Sequence, residues 1–332
     1  MTRESERGVA LLLVLVFVAV LSVIVVEFCY EARVEAALVS AGQHEFEALI
    51  AAKSAVASGV SLLASDLYLA ATLDDGSSGY DSLLEPWALG LPMQSINDGT
   101  MHCSIDDEWG KLNLGALFYE QTGEINEPLV QALRSLFTER GAEQDPVDAI
   151  LDWIDPDSDE RSGGAESAYY AGLEVPYGCK NGPMDSIEEL LLIQGITPDL
   201  FFGDPALDQV SLTELLTVHG HPRGKVNVNT AELAVLDAIG LALGEGTFGE
   251  AVIAERESAP FISKNDMETR GILREAPPGV ELPDLLVVMS RSFRVRGQGL
   301  SGRTRVRIDA FISRDERHQE QVFRVLDWRV IQ

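Results

Sequence analysis

An eighteen-residue apolar run near the N-terminus constrains this chain more than any other feature of its sequence. From Val9 to Val26 the sequence VALLLVLVFVAVLSVIVV contains one polar residue, Ser22. As an α-helix this run would be about 27 Å long, close to the hydrocarbon thickness of a bilayer. Arg3 and Arg7 precede it and acidic residues follow it. The positive-inside rule therefore predicts one membrane span, with the rest of the chain on the outer side.

The flanks of the apolar run distinguish a retained helix from a cleaved secretory signal. A secretory signal has a shorter apolar region followed by a small-residue cleavage site, whereas here the sequence continues as EFCYEARVEAALVSA. A short charged leader stops at Gly8, directly before the run, which is the arrangement of prepilin-type leaders. Apolar residues recur at three- and four-residue steps to about Ser65, which predicts one helix of about 85 Å. Such a helix is typical of type IV pilins and pseudopilins; the alternative is a membrane anchor followed by a separate soluble helix.

The net charge and the number of cysteines argue against some classes of binding partner and metal site. The 332 residues include 53 Asp and Glu against 25 Lys and Arg, a formal net charge of −28. This balance argues against nucleic acid as a partner, because phosphate binding requires a basic surface. Three cysteines are too few for a disulfide framework or a cysteine-rich zinc site. Spacing leaves open whether Cys103 and Cys179 form a disulfide in an oxidising compartment.

The remaining sequence predicts an α+β fold in which helices interrupt a sheet. Alternating residues predict two short strands, around Met101 to Ile105 and from Leu112 to Leu114. The chain is then mostly helical from Asn126 to about Glu275, and its last part alternates as three antiparallel strands. We expect a type IV pilin-like long N-terminal helix and a small antiparallel sheet, with a large mostly helical domain of helix-hairpin-helix or SAM-like type inserted between the strands. The predicted divisions are a leader (1–8), the membrane-spanning and amphipathic helix (9–65), the first part of the β-domain (66–125), the inserted helical domain (126–285) and the C-terminal strands (286–332).

The segment DWIDPDSDERSGGAESAYY carries the strongest chemical signal. Asp155, Asp157, Asp159 and Glu166 stand at positions one, three, five and twelve of a calcium loop. The sixth position is Glu160 rather than the glycine of an EF-hand, and two glycines follow three residues later. The pattern therefore predicts a calcium-type oxygen cluster that is not a true EF-hand, with a structural role for the ion, because close carboxylates repel one another without a cation. The alternative is a solvated acidic loop. Asp152 and Glu160 are further candidate ligands.

Two other segments raise functional alternatives. GKVNVNTAELAVLDAIGLALG resembles a helix-hairpin-helix, in which Asn229 or Thr230 would cap a helix and hairpin amides would bind DNA phosphate. The GIG-type hairpin is replaced by AIGLALGEG, which favours a structural role. His219 and His221 lack metal-ligand neighbours at suitable spacing and are interpreted as loop residues. We find no nucleophile–base set and no nucleotide-binding motif.

Taken together, the chain resembles the minor pseudopilin K family of type II secretion systems. The resemblance rests on RGVALLLVLVFVAVLS, DEWGKLNLGAL, LDWIDPDSDERSGGAESAYY and GKVNVNTA. It implies a pilin fold with a helical insertion, bound calcium, and cleavage and N-methylation by the prepilin peptidase between Gly8 and Val9. It also implies a complex with the I and J minor pseudopilins at the pseudopilus tip. Leu13 is the fifth mature residue, where most pilins carry a glutamate that neutralises the amine of the adjoining subunit, and a tip subunit has no amine to meet.

The sequence therefore predicts a non-enzymatic inner-membrane protein with one span and a periplasmic body. Its function would be to initiate or cap the fibre that exports folded proteins across the outer membrane, together with other pseudopilins. One alternative is a membrane-anchored DNA receptor that uses the helix-hairpin-helix segment. Another is an anchored periplasmic hydrolase that uses the acidic cluster and a metal.

Overall fold

A computed structural model describes residues 3–72, 79–96, 99–207, 209–272, 285–314 and 323–331. Its helices are α1 Arg3–Thr72, α2 Glu127–Glu139, α3 Val147–Ile154, α4 Ser167–Ala171, α5 Pro198–Phe202, α6 Leu212–Leu215, α7 Leu233–Ala242, α8 Phe248–Ser258 and α9 Lys264–Thr269. Its strands are β1 Leu91–Ile96, β2 Gly99–Asp107, β3 Leu112–Asn113, β4 Leu216–Thr217, β5 Val226–Asn227, β6 Leu286–Val287, β7 Ser292–Ser301, β8 Thr304–Arg314 and β9 Phe323–Ile331. The α+β fold class is confirmed.

Helix α1 is 70 residues long and extends beyond the predicted range at both ends. It passes through Gly8 and Val9 without a break, and it continues to Thr72 because DLYLAAT contains no glycine or proline to end it. Within the described part of the chain, α1 is the one helix that is long and apolar enough to cross a membrane. Its apolar residues from Leu11 to Val26 are exposed to at least about half of their surface in the isolated chain.

The largest sheet has five antiparallel strands in the order β1-β2-β7-β8-β9. Strand β2 pairs along its whole length with β7, so that strands from before and after the helical segment share one sheet. Strands β7, β8 and β9 match the three predicted C-terminal strands. Strand β1 was not predicted: its sequence LPMQSI is mostly exposed and lacks the alternation that reveals a half-buried strand.

Close approach between α1 and the sheet explains two glycines of β7. Helix α1 packs across β2, β7 and β8. A Cβ atom at Gly297 or Gly299 would collide with the backbone carbonyl of Ala52 or Ala48, respectively, on α1. The alanine face of the helix and the glycines of the strand thus allow the two backbones to touch. This interface forms one of the two hydrophobic cores, which also contains Trp87.

A second core holds the helices between β2 and β7. It contains α2, α3, α7 and α8 and the short strands β3 to β6, which form two parallel pairs, β3 with β4 and β5 with β6. Strand β3 is the second of the two predicted short strands and is only two residues long. Within the region predicted to be mostly helical, the segment LTELLTVHG is helical only as far as Leu215, and β4 begins at the next residue. The segment IEELLL is a 3-10 helix with a capping box at Ser186.

A buried polar cluster joins the two cores. The carboxylate of Asp107, at the end of β2, accepts hydrogen bonds from Thr230 Oγ1 at 2.6 Å and from Ser290 Oγ at 2.5 Å. Asn227 Nδ2 donates to the same carboxylate at 3.2 Å and to the Ser290 hydroxyl at 2.8 Å. Burial, only partly offset by these hydrogen bonds, raises the pKa of Asp107 to about 6. The cluster fixes the sheet to the turn before α7.

One expectation from the sequence is wrong, and one question that the sequence left open is answered. Asn229 and Thr230 do not cap α7, because they lie in a turn and Glu232 takes the cap position. Asn229 instead bridges to Phe261, donating to its carbonyl and accepting from its amide. Cys103 and Cys179 are free thiols, the first buried in the sheet core and the second beside the helical core, so they do not form a disulfide.

Candidate metal centre

The acidic loop is held between two helices that are anchored in the helical core. Trp153, near the end of α3, packs edge-on against Tyr170 of α4 with ring centroids 5.3 Å apart, and its indole donates to Glu189 at 3.1 Å. The loop between these helices contains Gly164, where a Cβ atom would collide with the carboxylate of Asp152. The glycine pair of the sequence therefore lets the loop close tightly over the end of α3.

Three of the predicted ligands come together in this loop. One carboxylate oxygen from each of Asp155, Asp157 and Glu166 lies within 4.8 Å of the others. Asp155 and Glu166 are buried, whereas Asp157 is exposed. The buried atoms Asp155 Oδ1 and Glu166 Oε1 have no hydrogen-bond partner among the described residues. Buried carboxylate oxygens without partners are costly, so this arrangement favours a bound cation.

Asn181 also contacts the acidic loop and was missed from the sequence. Its Oδ1 is also buried without a partner in the described part of the chain, while its Nδ2 donates to the backbone carbonyl of Asp157. Asn181 adopts a left-handed backbone conformation with φ of 45°, which asparagine tolerates better than most residues. Asn181 stands fifteen residues beyond Glu166, so the ligand spacing of a calcium loop does not include it. The Asn-Gly pair, which is a turn signal, is the sequence feature that could have drawn attention to it.

Asp152 and Arg161 form the charged floor of the site. Asp152 is fully buried, and its carboxylate accepts from Arg161 Nη1 at 2.5 Å and from the Arg161 amide at 3.1 Å. The same guanidinium also pairs with Asp155. Arg161 thus neutralises part of the negative charge and leaves Asp155 Oδ1 buried without a hydrogen-bond partner among the described residues. The carboxylate of Asp152, a candidate ligand from the sequence, is therefore hydrogen-bonded to Arg161.

Asp159 and Glu160 stand apart from the carboxylate group. Both side chains are exposed, and the close group does not include them. The Asp159 amide donates to Asp157 Oδ1 at 2.8 Å, which shapes the turn. Their part in metal binding stays a prediction.

The electrostatics of the site show the repulsion expected of an acidic cluster. Burial raises the pKa of Asp155, with Asp157 and Asp152 adding to the shift against the effect of Arg161. Burial also raises the pKa of Glu166, together with the charges of Asp152 and Asp155. A divalent cation would reverse these shifts, because it stabilises the ionised carboxylates. The donor set is entirely oxygen, which suits calcium and not a thiolate- or imidazole-binding metal.

The other sequence candidates do not form a reactive site. His219 stacks on Phe311 and His221 packs edge-on against Trp109, both in the loop after β4, as predicted. Burial, with the charges of Lys225, Arg223 and Arg291, lowers the pKa of His221 to about 4. Glu108 forms a buried ion pair with Lys111 at 2.7 Å.

A second carboxylate group lies at the end of α1. Asp66, Asp81 and Glu85 approach one another, and Arg314 donates to both oxygens of Asp81 at 2.6 and 2.7 Å. Burial raises the pKa of Glu85 to about 7, with smaller contributions from Asp66 and Asp81. Arg314 also lies 3.6 Å from Asp66, so it is a counter-ion for two of the three carboxylates.

Comparison with known proteins shows that the acidic loop lies in a region that a family model matches. The family described as "Type II secretion system (T2SS), protein K" matches residues 110–202, which include the acidic loop. The type II secretion system protein K of Klebsiella pneumoniae is 26% identical over 289 residues, covering 79% of this chain and 82% of that protein. The protein K of Pseudomonas aeruginosa is 27% identical and covers 80% of this chain and 76% of its own length.

A solved structure shares the fold. The crystal structure of the GspK-GspI-GspJ complex from the type 2 secretion system of enterotoxigenic Escherichia coli contains a chain that superposes with a TM-score of 0.64. The match covers 89% of this chain and 99% of that chain at 21% sequence identity. The family match over residues 110–202, the relatives of the same description and the shared fold agree in their likeness to protein K of the type II secretion system.

Proposed function

We propose that this protein is a minor pseudopilin at the tip of the type II secretion pseudopilus, where it binds the I and J minor pseudopilins and initiates or caps the fibre. The observation that carries the proposal is the fold shared with a chain of the GspK-GspI-GspJ complex over nearly the whole of that chain. The mechanism is binding without turnover. It serves the export of folded proteins across the outer membrane.

The N-terminal helix supports a membrane-anchored assembly role. Its apolar part would span the inner membrane, with the body of the protein in the periplasm. Cleavage and methylation by the prepilin peptidase between Gly8 and Val9 would leave the apolar part of α1 at the start of the mature chain. Leu13 would then be the fifth residue, and its apolar side chain fits a subunit that meets no neighbouring amine.

The outward side of α1 supports packing among pseudopilin helices. Val39, Phe46 and Tyr68 are 67%, 64% and 73% exposed, and Ile50 is 39% exposed. They are separated by 7, 4 and 18 residues, each close to a whole number of helical turns, so they lie on one side of the helix, away from the sheet. An apolar stripe on a helix that a sheet already covers on its other side is typical of a second helical contact.

A calcium ion at the acidic loop completes the proposal. Asp155, Asp157, Glu166 and Asn181 would supply oxygen ligands, with Asp159, Glu160 and Asp152 as the further candidates from the sequence. The ion would fold the loop between α3 and α4 and take no part in a reaction. The division into an inserted helical domain between the sheet strands, residues 126–285, is part of the same proposal; its C-terminal boundary adjoins residues 273–284, which lie outside the described residues.

The complex with I and J is tested by co-purification. The full-length chain, tagged at its C-terminus, is co-expressed with its cognate I and J pseudopilins, extracted in mild detergent and purified in calcium or in chelator. We expect both partners to co-purify in calcium and to be depleted in chelator. A well-folded chain that retains neither partner in calcium would refute the proposal.

The same preparation tests the alternative of DNA binding. The acidic charge and the missing GIG hairpin predict no salt-dependent shift of a labelled duplex. A shift that weakens steeply with salt would favour the DNA receptor instead.

A further inference from the structure

The last strand of the sheet carries a row of exposed apolar side chains, which we call the β9 strip. It consists of Val325, Trp328 and Val330, which are 54%, 40% and 46% exposed. An edge strand with three large apolar residues open to solvent is unusual, because sheet edges are normally protected by charge or cover. The strip therefore requires a partner.

The pairing register shows which face of the sheet the strip occupies. Val330 lies opposite Ile308 and Trp328 lies opposite Ala310 on β8. Directly paired residues of an antiparallel ladder point to the same face. Ile308 and Ala310 are fully buried in the core beneath α1. Val325, beyond a bulge, lies opposite the buried Ile312, so the whole strip continues the face that α1 covers.

The position of α1 explains why the strip is left open. The helix lies across β2, β7 and β8, with β7 in the middle, and β9 is two strands away from β7. Strands are about 4.8 Å apart, so β9 lies about 10 Å to one side of the strand under α1. Packed helices are separated by about 8–10 Å. A second helix placed beside α1 at normal packing distance would therefore lie over β9.

The opposite edge of the sheet does not offer an equivalent surface. Strand β1 is also two strands from β7. On the α1 side it carries Leu91, Gln94 and Ile96, of which the two apolar residues are half-buried and the exposed one is polar. Met93 of β1 is 70% exposed, but it is a single exposed apolar residue and not part of a row. The continuous apolar row is thus a feature of the β9 side, which distinguishes it from scattered surface residues.

We propose that the β9 strip is the docking surface for the long amphipathic helix of a second, different membrane-anchored subunit that lies alongside α1. This inference rests on the proposed function and specifies where the partner binds. A helix parallel to α1 would emerge from the same membrane, because α1 continues unbroken into its apolar segment. A second copy of this chain is disfavoured, since it would bring another net charge of −28 against the first. Trp328, near the middle of the row, would be the main anchor, as tryptophan commonly is at interfaces.

Site-specific photo-crosslinking in the full-length chain tests this surface. Benzoylphenylalanine is placed at position 328 or 330 and, as the matched control on the other sheet edge, at position 93. In cells that also produce the cognate I and J pseudopilins, we expect adducts with one of those subunits from 328 and 330 and none from 93. Adducts only between two copies of this chain would overturn the inference, as would equal yields from all three positions.

A binding measurement on purified full-length proteins in detergent provides a second test. We expect Trp328→Asp combined with Val330→Asp to weaken the complex about tenfold or more, and Met93→Asp to change it less than about twofold. Thermal unfolding of each variant shows that the body remains folded. If the wild type binds I and J and the double variant binds equally well, the β9 strip is not the docking surface, although the proposed function stands. If the wild type binds neither subunit, both proposals fail.

Discussion

At the scale of single residues, the oxygens of Asp155, Glu166 and Asn181 determine whether the acidic loop holds an ion. Each residue has one buried oxygen without a partner among the described residues, and Arg161 pairs with Asp152 and with the other oxygen of Asp155. Alternation along the sequence predicted the positions of the acids. It did not predict Asn181 or the role of Arg161, because both depend on how the loop folds back on the end of α3.

Removal of a buried ligand should abolish the response to calcium. At a calcium concentration about 100 times the Kd, binding stabilises the fold by about 2.7 kcal/mol, which corresponds to a rise in Tm of roughly 5–10 °C. We expect Asp155→Asn or Glu166→Gln to lose this rise in a thermal melt with and without chelator. Glu174→Gln, an exposed acid beyond α4, is the control and should keep it. A full calcium response in the Asp155 variant would contradict the assignment.

The buried Asp107 should make stability depend on pH. Burial raises its pKa in the folded state to about 6, above its ordinary value of 3.8, so the folded protein binds the proton more tightly than the unfolded chain. This contribution is therefore fully present below about pH 4 and is lost as pH rises through 6, up to about 3 kcal/mol. Glu85, with a pKa of about 7, acts in the same direction.

Denaturation at pH 5 and pH 8 measures this effect. Glu108, Glu188 and Glu189 have lowered pKa values, so their ionised forms stabilise the folded protein. That contribution is lost only below about pH 4.5, outside this window. We expect Asp107→Asn to reduce the difference in unfolding free energy between the two pH values, whatever its effect on absolute stability. An unchanged difference would show that Asp107 does not titrate as its burial implies.

The buried pair of Glu108 and Lys111 gives a residue-level prediction about charge. Burial raises the pKa of Glu108, but Lys111 and Arg294 outweigh burial, so the net pKa is lowered and the carboxylate is ionised. Lys111→Met would leave this charge poorly compensated and should cost about 3 kcal/mol of unfolding free energy. Adding Glu108→Gln should recover part of the loss, and a double-mutant cycle by chemical denaturation measures the recovery.

At the scale of elements, alternation and helical periodicity predicted those whose one face is buried. Strands β7 and β8 and the long helix α1 were found this way, because each packs one side on the sheet core. Strand β9 was found from its alternation, although none of its residues is fully buried. Strand β1 was not predicted because most of its residues are exposed. The length of α6 was overestimated because the chain after LTEL forms β4. Strand β4 pairs with β3, more than one hundred positions earlier in the sequence. The cap of α7 was misplaced since Asn229 and Thr230 serve tertiary contacts instead.

The close contact of α1 with β7 gives an element-level prediction. A side chain at Gly299 would collide with the backbone of α1 at Ala48 and lie 2.6 Å from the amide nitrogen of Ala52. Gly299→Ala should therefore lift the helix from the sheet and cost about 1–3 kcal/mol. Gly246→Ala, where nothing lies within 4 Å of the added carbon, is the control. Equal Tm values for the two variants would show that the helix does not approach the sheet this closely.

At the scale of the whole molecule, two cores and one long helix define how the chain can work. The sheet core fixes α1 in position, and the buried cluster around Asp107 fixes the helical core to the sheet, so the two cores are joined by polar contacts. The order of these parts followed from changes of pattern along the sequence. The β9 strip could not be predicted, because alternation in QVFRVLDWRVIQ does not reveal that α1 leaves this strand uncovered.

The most direct test of the central proposal is native mass spectrometry of the full-length chain extracted together with its cognate I and J pseudopilins. We predict a complex that contains one copy of each of the three subunits plus the mass of bound calcium, and loss of both the calcium and the partners in chelator. A calcium-loaded chain that appears alone or only as copies of itself would contradict the proposal that it acts as a minor pseudopilin in a complex with I and J.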